Sequence, residues 1–97
     1  MTIEKTVSGK NAELRLKGWM DTQNAEVLAA AVEELDPETE SLVLDLSELE
    51  YTSSAGIRQL VATHLRMKGA MTLKHVSAEI MDVLHMAGLD QRLHIEP

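Results

Sequence analysis

Thr52, Ser53 and Ser54 place three hydroxyls in succession, followed at once by the small pair Ala55-Gly56 and then by Arg58. Hydroxyls in this setting can do three kinds of chemistry. One can cap a helix, its oxygen accepting a free N–H of the first turn, which contributes about 1 kcal/mol. One can attack an electrophile if a nearby base takes its proton. One can accept a phosphoryl group, for which a helix N-terminus is a tolerant setting, since free N–H groups and the positive dipole end face the new charge. A cap needs a single hydroxyl, and Ala55 and Gly56 leave the remaining ones uncrowded enough for another protein to reach. Arg58 is the one basic residue close by, so a phosphate here would stay on the surface and change what that surface binds. The nucleophile option lacks its machinery. No G-x-S-x-G elbow surrounds Ser53 or Ser54, and His64 would lie about three turns along a helix that begins at the serine, too far to be its base. His64, His75, His85 and His94 have no i, i+4 pairing and fall on different elements, so neither a metal nor another cofactor is expected. With no Cys in the chain, thiolate chemistry and disulfides are excluded.

The rest of the composition narrows the function further. Ninety-seven residues suit a single domain, taken as residues 1–97. The core must be built from Leu, Val, Ile, Ala and six Met, because Trp19 and Tyr51 are the two aromatic residues and Phe is absent. A net charge of −7 argues against direct nucleic-acid binding, which needs clustered Lys and Arg. The acidic run EELDPETE (33–40) reads as a solvated loop, or as a field that selects a basic partner surface. The longest apolar run, Val27 to Val32, is six residues, against about 20 for a membrane span, so no membrane insertion is expected. The N-terminal MTIEKTVSGK has no signal-peptide h-region, and a cytoplasmic location is the default expectation.

The elements that must position the hydroxyls can be read from periodicity. TIEKTV and AELRLK are strand-like, joined by a hairpin turn at Ser8-Gly9-Lys10, and Gly18 is expected to close the second strand. Asp21 or Thr22 can cap a helix near 22–35 that turns Ala25, Leu28, Val32 and Leu35 inward and stops at Asp36-Pro37. SLVLDL (41–46) reads as a strand covered on both faces, followed by a loop over 46–54. A helix near 54–68 carries Ile57, Leu60, Val61 and Leu65 on one face. MTLKH (71–75) is a further strand, Ser77 caps a helix near 77–87 with Ile80, Leu84 and Ala87 inward, and RLHIE (92–96) can form an edge strand. The order β-β-α-β-α-β-α-β predicts an α/β domain, a mixed sheet of four or five strands with helices packed mainly on one face. From residue 41 onward its crossovers should be parallel and right-handed. Sites in such sheets form in the loops after the strand C-termini, where the hydroxyls fall. Trp19 is expected to cover the core edge, with a partner anchor as the alternative, and Met67, Met71, Met81 and Met86 to lie mostly in the core, with some available to line an adaptable binding face.

The stretch LVLDLSELEYTSSAGIRQLV resembles the signature of STAS domains, most closely that of bacterial anti-sigma factor antagonists. GWMDTQNA (18–25) is similar to that family's entry into its first helix, and MAGL (86–89) to its final helix-Gly-Leu pattern. The resemblance implies a non-enzymatic partner-switching protein whose phosphoacceptor is Ser54. Ser53, standing where the family often has Asp, is the alternate acceptor. It further implies that Thr52, Ser53, Ser54, Ala55, Gly56 and Arg58 face the partner, and that Asp45 corresponds to the family's strand-end aspartate and supports the loop. The implied partners are an anti-sigma factor that is also a serine kinase and a PP2C-type phosphatase that resets the switch. The alternative is a non-switching STAS module serving as a soluble regulatory subunit of a membrane transporter. Gly56 is expected in the first helical turn because a side chain there would crowd the approaching partner.

Overall fold

The computed structural model describes residues 1–96. Five strands and three helices follow the expected order: β1 (Thr2–Ser8), β2 (Asn11–Met20), α1 (Ala25–Glu33), β3 (Ser41–Thr52), α2 (Ser54–Arg66), β4 (Met71–Lys74), α3 (Ala78–Met86) and β5 (His94–Glu96). The sheet order is β1-β2-β3-β4-β5, antiparallel between β1 and β2 and parallel at every later pairing. Parallel pairing therefore begins at residue 11, not at 41, with α1 as the first crossover helix. Because the order advances one strand at a time in one direction, right-handed crossovers place all three helices over the same face.

That face carries the core. Ala12 and Leu14 of β2 lie in register with Leu42 and Leu44 of β3, and these with Met71 and Leu73 of β4, all buried, as is Leu16 further along β2. Leu28 and Val32 of α1, Leu60 of α2 and Ile80 and Leu84 of α3 close over them. α1 and α3 start three residues and one residue inside their expected spans, and α2 starts at residue 54 as expected. The Asp21 carboxylate accepts the Asn24 N–H at 2.9 Å, capping a turn ahead of α1, and the Ser77 oxygen accepts the Ile80 N–H at 3.2 Å. Two inward assignments were wrong. Gly56, Leu60 and Thr63 form the buried line of α2, and Leu65, two residues and about 200° beyond Thr63, is 70% exposed. Ala87 ends α3 exposed.

β2 and β3 differ from expectation in length, and the cause is their pairing. Arg15 pairs with Asp45 but Lys17 with Glu48, and Gly18 pairs with Leu49 but Trp19 with Tyr51. Each step gives β3 one extra residue, a β-bulge. Gly18, at φ +100°, sits beside the second bulge and lets β2 run on to Met20 instead of closing it. The bulges shift the inward positions of β3 from a spacing of two to a spacing of three, through Leu46, Leu49 and Thr52. The segment expected as a loop is thus strand to Thr52.

The helix-free face of the sheet is charged. One row crosses all five strands through the paired positions Glu4, Arg15, Asp45, Lys74 and Glu96, alternating in sign. Arg15 bridges Glu4 at 3.9 Å and Asp45 at 3.5 Å. Among the described residues, no helix is long and apolar enough to cross a membrane.

Candidate functional site

The ends of β2 and β3 and the start of α2 meet at the three hydroxyls, and each hydroxyl has a different fate. Thr52, the last residue of β3, is buried at 5% exposure and donates its hydroxyl to the Ser53 carbonyl at 3.2 Å. Ser53 is the N-cap of α2: its extended backbone turns the chain, and its side-chain oxygen accepts the Gly56 N–H at 3.2 Å. Its own N–H donates to the Met20 carbonyl at 2.9 Å, which ties the junction to the end of β2. Ser54 is the first residue of the helix, exposed, and its hydroxyl bonds none of the described residues. Packing takes one hydroxyl and capping a second, which leaves Ser54 free.

Gly56 is buried, and the reason it is glycine lies inside the domain. A Cβ there would collide with the Thr52 hydroxyl oxygen and press to 3.0 Å against both Met20 Cγ and the Met20 carbonyl. The expectation that Gly56 clears space for a partner is thereby corrected: it lets α2 settle onto the strand ends. Ala55 is half-buried beside it, and Arg58 is exposed one turn further along.

In front of Ser54 lies an open groove of about 590 Å³ between α2 and the C-terminal half of α3. Ser53, Ser54, Ile57 and Arg58 form one wall, Val83, Met86 and Ala87 the other, with Tyr51 and Thr52 at the strand end. Met86 is 86% exposed. Trp19 is 58% exposed and packs against Tyr51 with ring centroids 5.4 Å apart and planes tilted at 45°, extending the apolar surface beyond the groove. Trp19 therefore does not cover the core, and Met86 does not lie in it, although Met71 does and Met67 and Met81 pack against it. Trp19 and Met86 lie instead on this apolar surface, where the alternative readings, a partner anchor and an adaptable binding face, would put them. A further signal in the sequence is that the only two aromatic residues both fall at strand ends, next to the entry and exit of the hydroxyl site.

Asp45 stands apart from this site. It lies within β3 on the helix-free face, its side chain 7% exposed, and its oxygens meet the Ser47 N–H at 2.9 Å, His75 Nδ1 at 3.3 Å and Arg15 Nε at 3.5 Å. It bonds none of residues 52–58; what it supports is the first bulge. Burial pushes its carboxyl up, but the Ser47 backbone and side-chain hydrogen bonds and then His75 outweigh this and hold it below the ordinary 3.8. His64 sits in the third turn of α2, too far along the helix to serve Ser54 as a base. No group of three or more His, Cys, Asp or Glu converges on a metal position among the described residues.

Comparison with known proteins adds a lineage to this geometry. A family model described as Mlab, STAS domain, matches residues 3–96. The Bordetella bronchiseptica protein BtrV, provisionally named an anti-sigma factor antagonist, is 36% identical over 77 residues, 75% of this chain. The chain spans 66% of BtrV, just under two thirds of its length. An anti-sigma factor antagonist from Mycobacterium paratuberculosis has the same fold, with a TM-score of 0.87 at 22% identity over 99% of this chain and 85% of that one. So does the Bacillus cell fate determinant SpoIIAA in its phosphorylated form, with a TM-score of 0.74 at 15% identity over 99% and 92%.

Proposed function

The chain belongs to the STAS domain family, of the anti-sigma factor antagonist-like kind, and from that premise we propose that it is a partner switch controlled by phosphorylation of Ser54. Unphosphorylated, it binds an anti-sigma factor that is also a serine kinase, through the groove between α2 and α3, and so releases a sigma factor. The kinase then modifies it. The Ser54 oxygen bonds to the γ-phosphorus of ATP, the bond from that phosphorus to the β-phosphate oxygen breaks, ADP leaves, and a base of the kinase takes the hydroxyl proton. The added charge of nearly −2 at the groove wall ends binding. A PP2C-type phosphatase hydrolyses the ester and returns the protein to its binding form.

One observation carries this reading: Ser54 is the one hydroxyl of the three with no structural duty, and it lies exposed at a helix start on the wall of an apolar groove. Phosphate on it meets free N–H groups of the first turn and leaves the cap on Ser53 untouched. That SpoIIAA, with the same fold, has been solved phosphorylated supports the tolerance of the fold for such a group.

The test is incubation with the kinase that co-purifies with the protein, plus ATP, followed by mapping of the modified residue by mass spectrometry. Phosphate on Ser54 is expected. Phosphate on Ser53 alone would move the switch to the cap. No phosphate across 52–54, together with partner binding indifferent to Ser54→Asp, would leave the non-switching transporter module as the better account.

A further inference from the structure

We infer that Arg58 is the intramolecular counter-charge of the phosphorylated Ser54, pairing with the phosphate across the mouth of the groove. This rests on the phosphoacceptor reading above and concerns the form the modified state takes. Ser54 and Arg58 are four residues apart on one helix, the spacing that sets two side chains on the same face, and both line the same groove. Helical side chains lean toward the N-terminus, so the Arg58 stem runs back over the turn that begins at Ser54.

Nothing competes for the guanidinium. Among the described residues Arg58 makes no ion pair. Its neighbours one turn away, Ser54, Ala55, Val61 and Ala62, are all uncharged, in a chain with 16 acidic residues. A phosphate brings three acceptor oxygens that match the planar fork of arginine, and bidentate pairing of this kind is charge-assisted. The pair lies beside Ile57, so modification both charges the groove and covers part of its apolar wall.

The experiment installs phosphoserine at position 54 during translation, without a kinase, and follows the second ionisation of the phosphate by phosphorus-31 NMR. The midpoint is expected below the ordinary value of about 6. Arg58→Gln should raise it by about half a unit, and Arg58→Lys should recover part of the shift. Arg66→Gln removes the same charge from the other end of α2 and should leave the midpoint where it was. Coincident titrations for the native and Arg58→Gln proteins would overturn the pairing, as would an equal shift from Arg66→Gln, which would mark a general field. Because the phosphate is placed without a kinase, a kinase that ignores Ser54 would sink the functional reading and leave this pairing standing. Coincident titrations would do the reverse.

Discussion

Exchange of Ser53 for alanine removes the oxygen that meets the Gly56 N–H, whereas the same exchange at Ser54 removes an oxygen that meets nothing. Ser53→Ala should therefore destabilise the domain by about 1 kcal/mol, a fall in melting temperature of about 4–8 °C for a domain of this size, and Ser54→Ala should melt with the native protein. In partner binding the effects should separate the other way: Ser54→Ala binds constitutively, and Ser54→Asp binds weakly but incompletely mimics phosphate, having one charge and a planar head. Calorimetry on the four proteins, with and without partner, checks both halves. Gly56→Ala belongs at the same scale. Its methyl group would be driven into Thr52 and the Met20 carbonyl, a loss of about 1–3 kcal/mol as in other overpacked interiors. Adding Thr52→Ala should recover part of it, since the side-chain clash is relieved and the backbone contact remains.

Among the elements, β3 shows both what the chain makes legible and what it conceals. SLVLDL announces a buried strand, and the 3.6-residue periodicities of α1, α2 and α3 announce helices, because in each the inward spacing is constant. SELEYT reads as a loop because two bulges stretch the inward spacing to three, matching neither strand nor helix. Ser54 could be singled out from its neighbours as a candidate at a helix start, and the structure leaves it exposed there. The groove could not, since it depends on where α3 crosses α2. Asp45 fixes the first of those bulges and gives Arg15, whose buried Nε has no hydrogen bond, its nearest counter-charge. Asp45→Ala should thus lower stability by about 1–3 kcal/mol at pH 7 by urea unfolding. Its native carboxyl titrates below the ordinary 3.8. Its contribution is therefore full above that value and fades as pH falls through the native value, and the gap between the two proteins should narrow in acid. At the end of α3, His85 pairs with Asp90 at 2.6 Å, and the hydrogen bond and charge of Asp90 raise its pKa above 6.5. Proton NMR should show His85 titrating above that value and returning toward it in Asp90→Asn.

Across the whole molecule, helices cover one face of the sheet and a charged row crosses the other, and the proposed docking groove opens at one end of the α2–α3 seam. The net charge of −7 on the whole chain favours a basic partner, whose association rate should fall steeply as salt rises, measured by stopped flow between low and physiological ionic strength. The same end of the molecule holds Trp19, half open to water and in contact with Tyr51. It is the only indole in the chain and Tyr51 the only phenol. All the intrinsic ultraviolet emission of the protein therefore originates at the rim of the groove, with the tyrosine close enough to pass its excitation to the tryptophan. A partner that covers this rim will exchange water for protein around the indole and move its emission to the blue. In the proposed switch, release by phosphorylation moves it back, which gives the native chain an unlabelled optical readout of its own binding state.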